Sequence, residues 1–202
     1  VTMTIRTGHV TIRDATRKDC LELARLIDIA GEGLPFYLWQ QMAAPGEDPW
    51  KIGQQRAARD SGGFSYRNSV VAEADGMVVG ALVGYPVADE PEAVDPESTP
   101  PMFVPLRELE NLAAGTWYLN SVAVFPRARG MGVGSKLMDC AEQKAAELGL
   151  RGLSLIVADA NQGARKLYER LGYREVSSLP MVKEQWQCPS DNWVLMIREL
   201  PG

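Results

Sequence analysis

Apolar positions recur along this chain with two different periods, and the changes between them mark out its elements. From His9 to Ala15 the pattern suits a short strand. Leu21, Ala24, Leu26 and Ile27 within Thr16 to Ala30 then follow the spacing of an amphipathic helix, which Gly31 and Gly33 end. A weaker helix is expected within Asp48 to Asp60, before the turn Ser61-Gly62-Gly63. Tyr66 to Ala74 and Met77 to Val87 are rich in valine and are joined by Asp75-Gly76. That dipeptide tolerates positive φ, so the two segments predict an antiparallel hairpin.

Asp89 to Pro105 is loaded with proline and acid, which disfavours a regular element and predicts a long surface excursion, with a short helix over Leu106 to Ala113. Trp117 to Phe125 is the next strand, stopped by Pro126. Val133 to Leu148 is the best helix, with Val133, Leu137, Met138, Ala141, Ala145 and Leu148 on one stripe and Gly149 just past its end. Leu153 to Ala158 reads as a strand covered on both faces, and Asn161 to Leu171 as a helix closed by Gly172. Tyr173 to Ser178 and Asn192 to Leu200 complete the pattern as strands. The sum is an α/β fold with a mixed sheet of about seven strands. A single domain over residues 1–202 is expected, without internal repeats.

Composition narrows the chemistry. Apolar residues make up 46% and charged residues 23%, which suits a globular core. No apolar run is long enough to span a bilayer, and Val1 to Arg13 lacks the order of a signal peptide, so a soluble, cytoplasmic protein without membrane contact is expected. Cys20, Cys140 and Cys188 are widely spaced, which argues against a disulfide framework or a zinc site, and no metal is expected. His9 is the only histidine, so histidine-based nucleophilic catalysis is disfavoured.

Charge is uneven. Asp89 to Glu110 holds seven acidic residues and one basic residue, a net of −6 against −5 for the whole chain. Nucleic acid is therefore an unsuitable partner, whereas a cationic amine would be drawn to the segment; a solvated acidic loop remains the alternative.

Arg127 to Gly134 lies between a strand and a strong helix, where unpaired backbone N–H groups and the positive end of the helix dipole can face an anion such as a diphosphate. Gly130, Gly132 and Gly134 carry no Cβ to hold a phosphate away, and Arg129 can add a charge-assisted contact. The dinucleotide pattern G-x-G-x-x-G fails because Ser135 stands where its last glycine should be, and the Walker order fails because Ser135 precedes Lys136. A turn with no ligand stays open as an alternative.

Arg129, Gly132 and Gly134 spell R-x-x-G-x-G after the strand Leu119 to Pro126, and Asn161 is followed seven residues later by Tyr168. In these residues the chain resembles the GNAT superfamily of acyl-CoA N-acyltransferases, closely over Trp117 to Ser178 and only in architecture before that. The resemblance implies a mixed, mostly antiparallel seven-stranded sheet flanked by helices, with central strands splayed around acetyl-CoA, the cosubstrate. It implies cofactor-binding positions at Val122, Ala123, Val124, Arg129, Gly130, Met131, Gly132, Val133, Gly134, Ser135, Asn161, Ala164 and Tyr168. A bulge near Ser121 would aim an N–H at the thioester oxygen.

Tyr168 is then the expected general acid that protonates the departing thiolate, although its stripe with Ala164, Leu167 and Leu171 also suits a core tyrosine. Asn161 can cap the helix, bind the pantetheine arm, or do both. Transfer is direct, to a primary amine of a small molecule or peptide, and Cys140 reads as a packed hydrophobe rather than an acyl carrier. No general base stands out. Relatives that acetylate ribosomal-protein N-termini carry a glutamate where this chain has Ile156, so a water-mediated base is favoured, with Asn120 or Glu73 as orienting groups. Phe36, Tyr37, Trp39 and Trp186 are candidates for an aromatic wall around the acceptor. A coenzyme A-binding sensor without catalysis is the alternative, and a homodimer stays open.

Overall fold

The computed structural model describes residues 10–95 and 97–201, so His9, the first residue of the expected opening strand, lies outside the described residues. The strands are β1 (Thr11–Asp14), β2 (Ser69–Ala74), β3 (Met77–Pro86), β4 (Thr116–Val124), β5 (Gly152–Ala158), β6 (Arg174–Pro180) and β7 (Asn192–Glu199). The helices are α1 (Cys20–Ala30), α2 (Leu34–Met42), α3 (Pro49–Ala57), α4 (Val104–Asn111), α5 (Val133–Glu147) and α6 (Gln162–Arg170). One mixed, mostly antiparallel sheet runs in the order β1-β2-β3-β4-β5-β7-β6 with helices flanking it, as expected. The chain forms two compact units, Val1–Gly84 with Asn120–Ala141, and Tyr85–Leu119 with Glu142–Gly202.

In the first unit the β2/β3 hairpin closes on Asp75 and Gly76, at φ 52° and 72°. Both values lie in the left-handed region that a two-residue hairpin turn requires. Tyr66–Asn68, expected to start the strand, is instead a 3₁₀ turn capped by the Ser65 side chain, which accepts from the Arg67 amide. Leu23 and Leu26 of α1 pack with Val71, Ala81 and Ala123. Each of these leucines is almost fully buried, worth about 2 kcal/mol of transfer free energy. Arg13 on β1 clamps this layer by donating to both Asp19 carboxylate oxygens and to Glu73 on β2.

Helix α2 was not expected from the pattern. It forms because Trp39 is buried against Trp50 and Phe64, and Gly53 makes room for it: a Cβ there would stand 2.6 Å from the indole ring. Phe36 also packs on Trp50, so Phe36 and Trp39 belong to this core rather than to an acceptor wall. Gly80 on β3 plays a similar part. A Cβ there would come within 3.0 Å of both the Ala123 carbonyl oxygen and Val133, so glycine lets β4 and α5 approach closely.

In the second unit the start of β4 runs parallel to β5, from Thr116↔Gly152 to Leu119↔Leu155. The buried Thr116 and Ser154 hydroxyls share a 2.7 Å hydrogen bond across that pair. Strand β5 also pairs antiparallel with β7, and β7 with β6. Gly152 is sterically required, since a Cβ would lie 2.3 Å from the Arg198 carbonyl oxygen. Leu109 and Ala113 cover Leu195 and Ile197, with Ile156, Leu179 and Trp193 against them. Trp186 is buried and stacks on Trp193, which removes it too from the expected aromatic wall. Two stripe residues depart from the pattern: Leu148 lies beyond the end of α5 and is exposed, and Leu167 on α6 is also exposed.

Candidate active site

The glycine turn lies wholly within the first unit. After β4, the Phe125 amide donates to the Val79 carbonyl at 2.9 Å, and Pro126–Ala128 makes a 3₁₀ turn. Arg127 braces the turn by donating to the Val78 carbonyl while its guanidinium lies over the Phe125 ring. Arg129 is exposed, as are Gly130 and Gly132, which take φ of 79° and 75°. Helix α5 then starts with Lys136 N–H donating to the Gly132 carbonyl at 3.2 Å.

Among the described residues, the amides of Gly130, Met131, Gly132, Val133, Gly134 and Ser135 have no protein acceptor. A Cβ on Gly130 or Gly132 would meet nothing within 4 Å, and on Gly134 only the Val124 side chain at 4.0 Å. Below the turn Val133 and Leu137 are buried, which fixes the helix while its amide-bearing end stays open. A diphosphate fits such a place: several N–H groups, a helix N-terminus and no side chain in the way. Val122, Ala123 and Val124 lead into the turn on β4, Ala123 buried and its two neighbours half-buried.

The other expected site residues belong to the second unit. Asn161 caps α6, its Oδ1 accepting from the Ala164 amide at 3.1 Å. The loop before it is held by Asp159, which accepts from the Asp191 and Asn192 amides, and by Ser190, whose hydroxyl accepts from Ala160. Tyr168 is half-buried, with its ring edge-on to Tyr173 at 5.7 Å. Burial raises its pKa, so its hydroxyl keeps its proton.

Residues 35–173 match the model of the acetyltransferase (GNAT) family. The chain belongs to that family. Among relatives of this GNAT chain, bovine (Bos taurus) thialysine N-epsilon-acetyltransferase is 35% identical over 71 residues, 35% of the chain and 39% of the relative. An uncharacterised N-acetyltransferase of Bacillus subtilis (strain 168), YhfO, is 39% identical over 59 residues, 29% of the chain and 40% of the relative. The matched stretch thus spans about two fifths of these curated relatives. A solved structure described as an acetyltransferase is 26% identical, with a TM-score of 0.64, over 95% of the chain and 100% of that structure. The GNAT family uses acetyl-CoA.

Several expectations for this GNAT chain change once its contacts are known. Glu73 is engaged by Arg13, so it serves the β1/β2 clamp rather than a free water-orienting role. Asn120 is exposed and accepts from Ser121. Ile156 packs into the apolar cluster with Leu109 and Leu195, so the position that would carry a base on β5 is filled by hydrocarbon. Tyr173 is a feature that the pattern did not single out: only 2% exposed, it has a hydroxyl without a hydrogen-bond partner among the described residues and backs Tyr168. Its place after the Gly172 stop is a weak signal, since tyrosines at strand starts are common. No group of three or more potential metal ligands is found among the described residues, nor any helix long and apolar enough to cross a membrane.

Proposed function

We propose that the chain is one N-acetyltransferase domain, moving an acetyl group from acetyl-CoA to a primary amine of a small molecule or peptide. The observation that supports this best is the set of adjacent turn amides without acceptors among the described residues, beneath glycines whose missing side chains leave open space. Gly130 to Ser135 would hold the diphosphate, Arg129 would add charge, and the β4 main chain at Val122 to Val124 would bind the amide arm. Asn161 would spend its side chain chiefly on the α6 cap. When bound, acetyl-CoA supplies an acetyl group activated as a thioester.

Tyr168 donates the proton to the departing thiolate, and its raised pKa keeps that proton available across neutral pH. With Ile156 where a carboxylate would stand, the proton of the amine leaves through water. A primary-amine acceptor agrees with the name of the bovine relative.

Calorimetry with acetyl-CoA and thiol release across an amine panel test this reading together. Saturable binding with turnover is expected, and Tyr168→Phe should lower turnover by about 10² to 10⁴ while leaving binding intact. Wild-type activity in that variant removes Tyr168 from the acid role. Binding without thiol release from any amine would favour a coenzyme A sensor, a reading that the apolar filling at Ile156 also admits.

A further inference from the structure

Helix α6 ends in a left-handed stop, and that stop carries Tyr173 onto Tyr168 within the second unit. Gly172, at φ 90°, reverses the chain. Its amide donates to the Glu169 carbonyl at 3.0 Å, and the next amide, that of Tyr173, donates to the Tyr168 carbonyl at 3.0 Å. This is the paired bonding of a Schellman motif, in which the residues joined by the outer bond also bring their side chains together. Here those residues are Tyr168 and Tyr173. Their ring centroids stand 5.7 Å apart at an interplanar angle of 62°, the edge-on arrangement that aromatic pairs favour.

The stop is itself held from β7. Arg198 donates to the Leu171 carbonyl at 3.4 Å, and its guanidinium pairs with Glu142 on α5. A Cβ on Gly172 would lie 3.6 Å from the Arg198 stem, so the arginine also packs on the turn. Tyr173 is buried, and its hydroxyl has no hydrogen-bond partner among the described residues. What it offers its neighbour is therefore the ring and the amide. Tyr168 is only half-buried, and without that backing its side chain could take other staggered rotamers.

We propose that Tyr173 is a positioning residue for acetyl transfer, fixing the Tyr168 phenol in the orientation from which its proton reaches the departing thiolate. This deepens the acetyl-transfer reading and rests on it. The proton passes from the Tyr168 oxygen to the coenzyme sulfur as the carbon–sulfur bond breaks, and the proton released by the amine returns through water to the Tyr168 oxygen. An acid displaced by about 1 Å can lose about a hundredfold in rate, so the ring behind it matters to turnover.

The test is steady-state kinetics of the full chain with acetyl-CoA and the amine of the panel that turns over fastest. Tyr173→Leu, which removes the ring, should lower kcat about thirtyfold and leave the KM for acetyl-CoA within about threefold. Tyr173→Phe, which keeps the ring, should restore kcat to within about threefold of the wild type. In a Tyr168→Phe background, Tyr173→Leu should cost nothing further. A loss in Tyr168→Phe without one in Tyr173→Leu overturns this proposal alone, whereas wild-type turnover in Tyr168→Phe overturns the acid reading and this proposal with it. An additive loss in the double variant, or a loss in Tyr173→Phe as large as in Tyr173→Leu, also overturns it. If Tyr173→Leu does not fold, Gly172→Ala, strained at its positive φ, takes its place with about a tenfold loss of kcat expected. A second readout needs no acceptor. In NMR titrations of tyrosine labelled at Cζ, Tyr168 should ionise above the ordinary tyrosine range in the wild type and in Tyr173→Phe, and shift back toward that range in Tyr173→Leu as water reaches it. An unmoved titration in Tyr173→Leu overturns the proposal even where no amine turns over.

Discussion

Two helices of this protein begin just after a strand and a short turn, and they treat their first amides in opposite ways. At α6 the chain closes its own helix: Asn161 accepts from Ala164, and Asp159 and Ser190 tie the preceding loop. Helix α3 is closed similarly by Asp48, which accepts from Trp50 at 3.0 Å. At α5 the residue in the capping position is Gly132, which has no side chain to offer, and six successive amides lack a protein acceptor among the described residues. Glycine in that position costs only about a few tenths of a kcal/mol against a capping side chain, so the α5 end is slightly less stable than it could be. What it gains is a place where an anion can do what a side chain does elsewhere.

The contrast can be broken by giving α5 the acid it lacks. Gly132→Asp should weaken acetyl-CoA about a hundredfold, roughly 2.7 kcal/mol, because a carboxylate competes for the amides and repels the diphosphate. Gly132→Asn, which also tolerates positive φ but carries no charge, should cost about tenfold, and calorimetry on the pair separates charge from bulk.

A smaller effect is expected at Asp19, which accepts from the Thr16 amide and from both Arg13 guanidinium nitrogens. Arg13 holds its pKa at about 2, below the ordinary carboxylate value, with burial opposing and Thr16 assisting. The depressed pKa means that its stabilisation is complete above about pH 4 and lost as pH falls toward 2. Asp19→Asn should therefore cost about 2 kcal/mol in denaturant unfolding at neutral pH, with the difference from wild type shrinking in acid.

Removing the closed helix's own seal sharpens the comparison from the other side. Asn161→Ala should lower stability by about 1 kcal/mol and change acetyl-CoA affinity little, if capping is its main task. The smallest effect is a negative one. Because burial raises the Tyr168 pKa, ionisation of Tyr168 should produce no fall in kcat below about pH 10, as single-turnover pH profiles can check.

The elements with strong local signals are legible in the order of residues alone. Helix α5 spans Val133–Glu147, with Gly149 at φ 65° terminating it as the αL stop requires. The Asp75-Gly76 turn stands where expected, and strands β3, β4, β5 and β7 lie within a residue or two of their expected bounds. Helix α2 is not legible in this way, because Phe36, Tyr37 and Trp39 give no clean period and owe their conformation to Trp50 and Gly53, distant in sequence. The glycine turn is readable because its chemistry is local and follows from backbone freedom. The state of Glu110 is not: a glutamate in an acidic run looks solvated until the excursion folds over α4 and removes it from water.

Gly80 carries the last consequence. The turn rests on a missing Cβ well before it in sequence, where β3 admits Ala123 and Val133. A methyl group inserted there would wedge strand from helix and shift the glycine turn. A mutational library confined to the loop would overlook that lever, and one aimed at retuning the turn should include Gly80.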